Sequence, residues 1–218
     1  MTTGRPIEFL RNRHKGEDIY VIAAGPSAGY ISPAFFEGKT TIGVNEVYTR
    51  FTSLTYCVRK EAADMAAASK AVHEGGGLIV ASRHNCGTLS YEKNDPELCD
   101  YLFDHEDNRL TEIDLSVIGS DKLIVSYSTI TSAMHLAAYM GAKNIILVGH
   151  DCGLLNGKFN FEKYPQSIFD PARYRAWIQE IEPQTLIVKS GLHNFYGCEI
   201  YSLNPFINFG LEGNRYER

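Results

Sequence analysis

The stretch "NIILVGHDCG" (144–153) decides how the fold is read. An aliphatic, β-branched run (145–148) ends in Gly149, His150, Asp151, Cys152 and Gly153. Two architectures end a strand in this way. In a nucleophile elbow, the strand runs directly into a helix and holds an acidic or hydroxyl nucleophile on a strained turn. In an open parallel sheet, small and polar residues at the strand's carboxyl end line a ligand crevice. The continuation "LLNGKFNFEKYPQ" (154–166) separates the two, because Asn156-Gly157 signals a tight turn and Pro165 follows closely. No helix is expected directly after Asp151, so the sheet reading leads.

The elbow reading resembles the aspartate-nucleophile α/β hydrolases, such as epoxide hydrolases and haloalkane dehalogenases, on the strength of "LVGHDCG" (147–153). That fold also needs an upstream His-Gly oxyanion motif, which is missing. It needs a base on a loop after a strand, whereas His193 falls inside an expected helix. The hydrolase stands last among the alternatives.

Other short apolar runs share the character of 145–148: "DIYVIAAG" (18–25), "TTIGVN" (40–45), "LTYCV" (54–58), "GLIVAS" (77–82), "KLIVSY" (122–127) and "CEIYSL" (198–203). Nearly continuous β-branched runs of this length, separated by helical segments, predict a mostly parallel sheet with helices on both faces. The expected class is α/β and Rossmann-like, in a single domain over 1–218. The Ala-rich stretch 59–75 predicts a helix stopped by "GGG". Residues 129–142 predict another, with Thr131 or Ser132 as its N-cap and Gly141 at its C-terminal end. A third is expected over 170–197, opening on Asp170-Pro171 and kinked or split at Pro183. The charged, irregular region 85–121 is expected as a lid-like insertion.

Composition narrows the function classes. The 218 residues are 44% hydrophobic, enough for one sizeable core. A formal net charge of −5 supplies no basic field for nucleic acid. Five scattered cysteines without a C-x-x-C pair imply reduced thiols, neither a disulfide framework nor a zinc site. No apolar leader opens the chain and no run reaches 18 apolar residues, so a cytoplasmic protein without a transmembrane segment is expected. A homo-oligomer remains open.

In such sheets the residues just after each strand are the site candidates. They are Gly25, Pro26 and Ser27 after the first strand, Asn45 after the second and Arg59 after the third. Ser128 to Ser132 follow the strand expected at 122–127, and Asp151 follows the next. Thr131 and Ser132 would add hydroxyls to a helix N-terminus, an anion cradle. Asn45 can both donate and accept, as reading a base edge or sugar hydroxyl requires. Each has a plainer reading as a turn, a cap or a packed residue, and His135 and His150 read first as packed histidines. No G-x-G-x-x-G follows the first strand and no Walker loop occurs, which argues against an NAD-linked oxidoreductase or a P-loop kinase.

Taken together, "VIAAGPSAGYI" (21–31), "IGVNEVY" (42–48), "TITSAMHLAAYMGAKNIILVGHDCG" (129–153) and "IYSLNPFINF" (200–209) resemble the bacterial sialyltransferases of glycosyltransferase family 42. They also resemble the wider group of motility accessory factors and 6-hydroxymethylpterin diphosphokinase-like (MptE-like) proteins. The resemblance covers about half the chain. It implies a Rossmann-like fold with a lid and a metal-independent transfer from a CMP-activated sugar. It also implies that Gly25, Pro26, Ser27, Asn45, Thr131 and Ser132 contact the donor nucleotide and that Asp151 is the strand-end acid. Three departures are visible. Ala24 stands where the family has Asn, Gly153 and Phe159 or Phe161 fall where it has phosphate-binding tyrosines, and "EKYPQSIFDPARY" (162–174) lacks its catalytic histidine.

The expected activity is therefore sugar transfer from a CMP-type nucleotide-sugar donor, as co-substrate, to a carbohydrate acceptor hydroxyl, with no tightly bound cofactor. Asp151 or His150 would be the base. Tyr164 and Lys163 would serve the leaving phosphate. The alternatives are ATP-dependent diphosphoryl transfer, in which Asp151 would hold magnesium, and a non-catalytic nucleotide- or sugar-binding module.

Overall fold

A computed structural model describes residues 4–60, 64–84, 95–105, 112–164 and 171–203, with side chains omitted at 171–175, 177 and 178. Parts of the expected insertion (85–94 and 106–111), the start of the first expected helix (61–63) and the exit "NPFINF" (204–209) lie outside the described residues.

Among the described residues, eight strands form one sheet. They are β1 (Arg5–Pro6), β2 (Asp18–Ile22), β3 (Thr40–Val44), β4 (Tyr56–Arg59), β5 (Leu78–Ser82), β6 (Tyr101–Phe103), β7 (Asn144–Val148) and β8 (Glu199–Ser202). Their order across the sheet is β1-β6-β5-β4-β3-β2-β7-β8, and every pairing is parallel. The class is α/β and Rossmann-like, as the apolar runs predict. Those runs explain the architecture. In β2, β3, β5 and β7 every residue but the first is buried, and in β4 all four are. Strands buried on both faces cannot alternate polar and apolar side chains.

Among the described residues, three α-helices accompany the sheet: α1 (Met65–Glu74), α2 (Thr129–Tyr139) and α3 (Pro171–Tyr196). All eleven residues of α2 are buried, since it lies between the central strands and α3. Its N-cap is Ser128, whose hydroxyl accepts from the Ile130 amide, one turn earlier than the expected Thr131 or Ser132. Gly141 follows its end at φ +86, a conformation that suits glycine. Helix α3 runs through Pro183 as one element, not split there.

Two expectations for the chain between β5 and α2 change. Segment 122–127 forms no strand ladder; only Lys122 bridges, to Asp104. Its apolar side chains Leu123, Ile124 and Val125 are buried as a strand's would be. Side chains, however, take its backbone groups: His135 Nδ1 accepts from the Ile124 amide, Ser132 Oγ donates to the Ile124 carbonyl, and Gln184 Oε1 accepts from the Tyr127 amide. Conversely, β6 is a sheet strand inside the region expected as an insertion. Its three residues are all buried, a run too short to stand out beside the charged sequence around it.

Candidate functional site

The strand order reverses between β2 and β7: the chain runs outward from β2 through β3, β4, β5 and β6, then returns to β7 on the other side. Ligand crevices in open parallel sheets form at such switch points, beyond the carboxyl ends of the strands. Here the two strand ends are held very close. The Ala23 amide donates to the Val148 carbonyl at 2.8 Å and the Gly25 amide to the Gly149 carbonyl at 2.7 Å. Gly149 turns away at φ +65, where a Cβ would meet the Ala23 carbonyl oxygen and the Ala28 Cβ, both at 2.6 Å. Neither strand end has room for a side chain.

Pro26 then opens a short 3-10 turn, Pro26–Tyr30. The amide of Ser27 donates to Asp151 Oδ2 at 2.6 Å, and the Ser27 hydroxyl donates to Asp151 Oδ1. A carboxylate from the β7 end thus clasps the turn that leaves β2. Gly25, Pro26, Ser27 and Asp151, separated by more than 120 positions, meet in one place.

A second group lies at the ends of β3 and β4. Asn45 opens the 3-10 turn Asn45–Thr49 at φ +52, and its side chain forms no hydrogen bond with the described residues. A left-handed non-glycine residue costs about 1 kcal/mol, and such strain concentrates at binding sites. Next to it, Glu46 bridges two groups: its Oε1 lies 3.2 Å from Arg59 Nη1, and its Oε2 accepts from the Tyr164 hydroxyl at 2.9 Å. The Arg59 side chain is only 4% exposed, so the nearby carboxylate is what offsets its loss of hydration. Lys60, also buried, donates to the carbonyls of Ser126 at 2.6 Å and Tyr127 at 3.2 Å, tying the β4 end to the approach of α2.

The loop after β7 roofs this row. Leu155 and Lys158 exchange backbone hydrogen bonds, both 3.1 Å, around Asn156 (φ +53) and Gly157 (φ +73), the tight turn that the sequence signals. The Phe161 amide donates to the Ala24 carbonyl at 3.0 Å, and its buried ring stands edge-on to Tyr164 and Phe51. No helix begins among the described residues between Asp151 and Pro171, so the strand-to-helix elbow of the hydrolase reading is not formed. Burial, and then Glu46, push the Tyr164 phenol well above its usual range. It keeps its proton at any physiological pH and serves as a hydrogen-bond donor. Lys163 stands beside it at φ +66.

Other expected residues sit differently. The hydroxyl of Thr131 donates to the Ser128 carbonyl at 2.9 Å and lies 2.8 Å from Ser126 Oγ; that of Ser132 goes to Ile124. Both side chains are fully buried, so they brace 123–128 rather than opening onto an anion. His150 is buried with its Nε2 2.9 Å from Thr185 Oγ1 in α3, and burial lowers its pKa to about 3. A neutral imidazole bonded to α3 is a packing group. A cleft of about 210 Å³ beside Ile22, Pro33, Phe36, Phe51 and Leu54 shares no residue with the strand-end row and lacks its polar groups.

Glu46 and Lys60 escaped the sequence reading although each adjoins a nominated residue, Asn45 and Arg59. Adjacency was the available signal. The pairing of Glu46 with Tyr164 across 118 positions left none.

No protein-family model matches the sequence, and no curated protein matches it. Among solved structures, the chain is similar to the sialyltransferase CstII from Campylobacter jejuni in complex with the substrate analogue CMP-3FNeuAc: TM-score 0.53, 12% identity, 89% of this chain and 84% of that chain covered. The same enzyme in complex with cytidine-5'-monophosphate gives a TM-score of 0.52 at 12% identity, covering 90% and 83%. The likeness establishes that the two chains share a fold.

Proposed function

We propose that the protein binds a CMP-type nucleotide sugar across the carboxyl ends of β2, β3, β4 and β7 and transfers the sugar to an acceptor hydroxyl. The observation that carries this reading is that the Ser27–Asp151 clasp at the β2–β7 switch point and the left-handed Asn45 after neighbouring β3 stand at the carboxyl ends of adjacent strands in a fold shared with CstII. Gly25 and Pro26 hold the β2 exit against the β7 end, and Asn45 reads the ribose or base. Arg59, held against Glu46, positions that carboxylate and the Tyr164 hydroxyl at the β4 end. Thr131 and Ser132 act from behind by fixing 126–128. Asp151 takes the proton of the acceptor hydroxyl, releasing Ser27 to do so, and Tyr164 turns its proton from Glu46 to the leaving phosphate.

A second reading, a binding module without turnover, is favoured by one feature. Both oxygens of Asp151 accept from Ser27, and burial lowers the His150 pKa to about 3, which makes it a weak proton acceptor.

The test is thermal unfolding with CMP, CDP, UDP, GDP or ATP, with and without magnesium, on wild type and Asn45→Gly. Glycine keeps the left-handed backbone while removing the amide. A ligand at a hundredfold excess over its Kd adds about 2.7 kcal/mol of stability. Stabilisation by CMP that is lost in Asn45→Gly is expected. A response to ATP only with magnesium would replace this reading with diphosphoryl transfer, and no response to any nucleotide would refute it. Release of CMP from a CMP-sugar then separates the transferase from the module.

A further inference from the structure

We propose that Tyr30, with Asn156, forms a platform for the ring of the acceptor sugar on the β7 side of the crevice. This inference rests on the transferase reading above and adds where the acceptor binds.

Tyr30 closes the 3-10 turn whose second residue, Ser27, clasps Asp151. Its side chain is 63% exposed, although burying such a ring would contribute about 1.5–3 kcal/mol. An exposed tyrosine is ordinarily free to swing. Here the hydroxyl accepts a hydrogen bond from Asn156 Nδ2 at 3.2 Å, across 126 positions. Asn156 is the first residue of the tight turn closed by Leu155 and Lys158, so a rigid turn from the β7 loop meets the turn from β2. The ring is thus held in place while remaining open to solvent. Leu154, 44% exposed, adds apolar surface on the same loop between Asp151 and Asn156.

A fixed aromatic face beside an amide suits a pyranose. The sugar's C–H face packs on the ring, and its rim of hydroxyls reaches the Asn156 amide. A nucleobase could also stack, but the group suited to reading a base, Asn45, lies at the end of β3. β3 and β7 flank β2 on opposite sides, so the crevice divides into a donor side at β3 and β4 and an acceptor side at β7, with Asp151 at the boundary.

Saturation-transfer NMR with methyl glycosides of hexoses, N-acetylhexosamines and heptoses tests this on wild type, Tyr30→Phe and Tyr30→Ala. At least one glycoside should bind. Tyr30→Ala should weaken it about tenfold or more and Tyr30→Phe only about two- to threefold, since the stacking face survives. CMP stabilisation should be equal in all three. Glycoside binding that survives Tyr30→Ala, or no glycoside bound by wild type, overturns the platform. So does loss of CMP stabilisation in Tyr30→Ala, which would give the ring to the base. Failure of the nucleotide reading shows separately, as a wild type that no nucleotide stabilises.

Discussion

Replacing Gly25 by alanine tests how closely the β2 and β7 ends approach. Gly25 has φ −59 and ψ 157, values that alanine adopts freely, so backbone strain contributes nothing. The cost is steric. An added Cβ would lie 2.3 Å from the Gly149 carbonyl oxygen and 2.8 Å from Asp151 Oδ2. If the strands hold, the overlap costs roughly 1–3 kcal/mol, as in overpacked cores. If they part, the chain loses the Gly25–Gly149 hydrogen bond and strains the Ser27–Asp151 clasp, about 2–3 kcal/mol together. Reduced freedom of the unfolded chain returns about 0.5–1 kcal/mol. The net loss is then about 2 kcal/mol, a fall in Tm of about 4–8 °C for a chain of this size. The control is Gly153→Ala, where the nearest atom to an added Cβ is the Asp151 carbonyl oxygen at 3.7 Å and stability should be unchanged or slightly higher. Urea unfolding followed by circular dichroism measures both. A Gly25→Ala midpoint equal to that of Gly153→Ala would show that the strand ends are not this close.

Two further outcomes are expected. Burial lowers the pKa of His135 to about 3, against about 6.5 in an unfolded chain, so below pH 6.5 only the unfolded state takes up that proton. Stability is full above pH 6.5 and falls as pH drops toward 3, by about 2 kcal/mol at pH 5 from this residue. In His135→Gln the decline between pH 7 and 5, measured by urea unfolding, should lose one proton's worth of slope; an unchanged slope refutes it. Ser132→Ala removes the donor to the buried Ile124 carbonyl and should cost about 1–3 kcal/mol in the same assay. A loss below experimental error would mean that 123–128 is fixed without it.

The strands were legible wherever the chain's own pattern had to match its burial. β2, β3, β4, β5 and β7 are nearly continuous apolar runs because both faces are covered. Segment 122–127 shows the limit of that logic. It is as apolar and as buried as a strand, but strand pairing depends on which groups meet its backbone, and those come from α2, α3 and Lys60. β6 shows the converse: three residues gain a strand only because β5 and β1 lie beside them.

The candidate site divides along the same line. The positions of Gly25, Ser27, Asn45, Arg59 and Asp151 at strand ends follow from strand periodicity and chain order, both properties of the sequence. What the side chains do there is set by neighbours that the linear order does not mark, some of them more than a hundred positions away. Asp151 is clasped by Ser27, Tyr164 is drawn to Glu46 and Tyr30 is pinned by Asn156. Thr131, Ser132 and His150 are the clearest cases, since a hydroxyl or imidazole reads as functional until its burial and partners are known. Local sequence determined the elements and the end of the sheet where polar residues collect. Only the tertiary structure decided which of those groups are satisfied internally and which are left to meet a ligand, because hydrogen bonding and desolvation act between atoms that the linear chain does not place together.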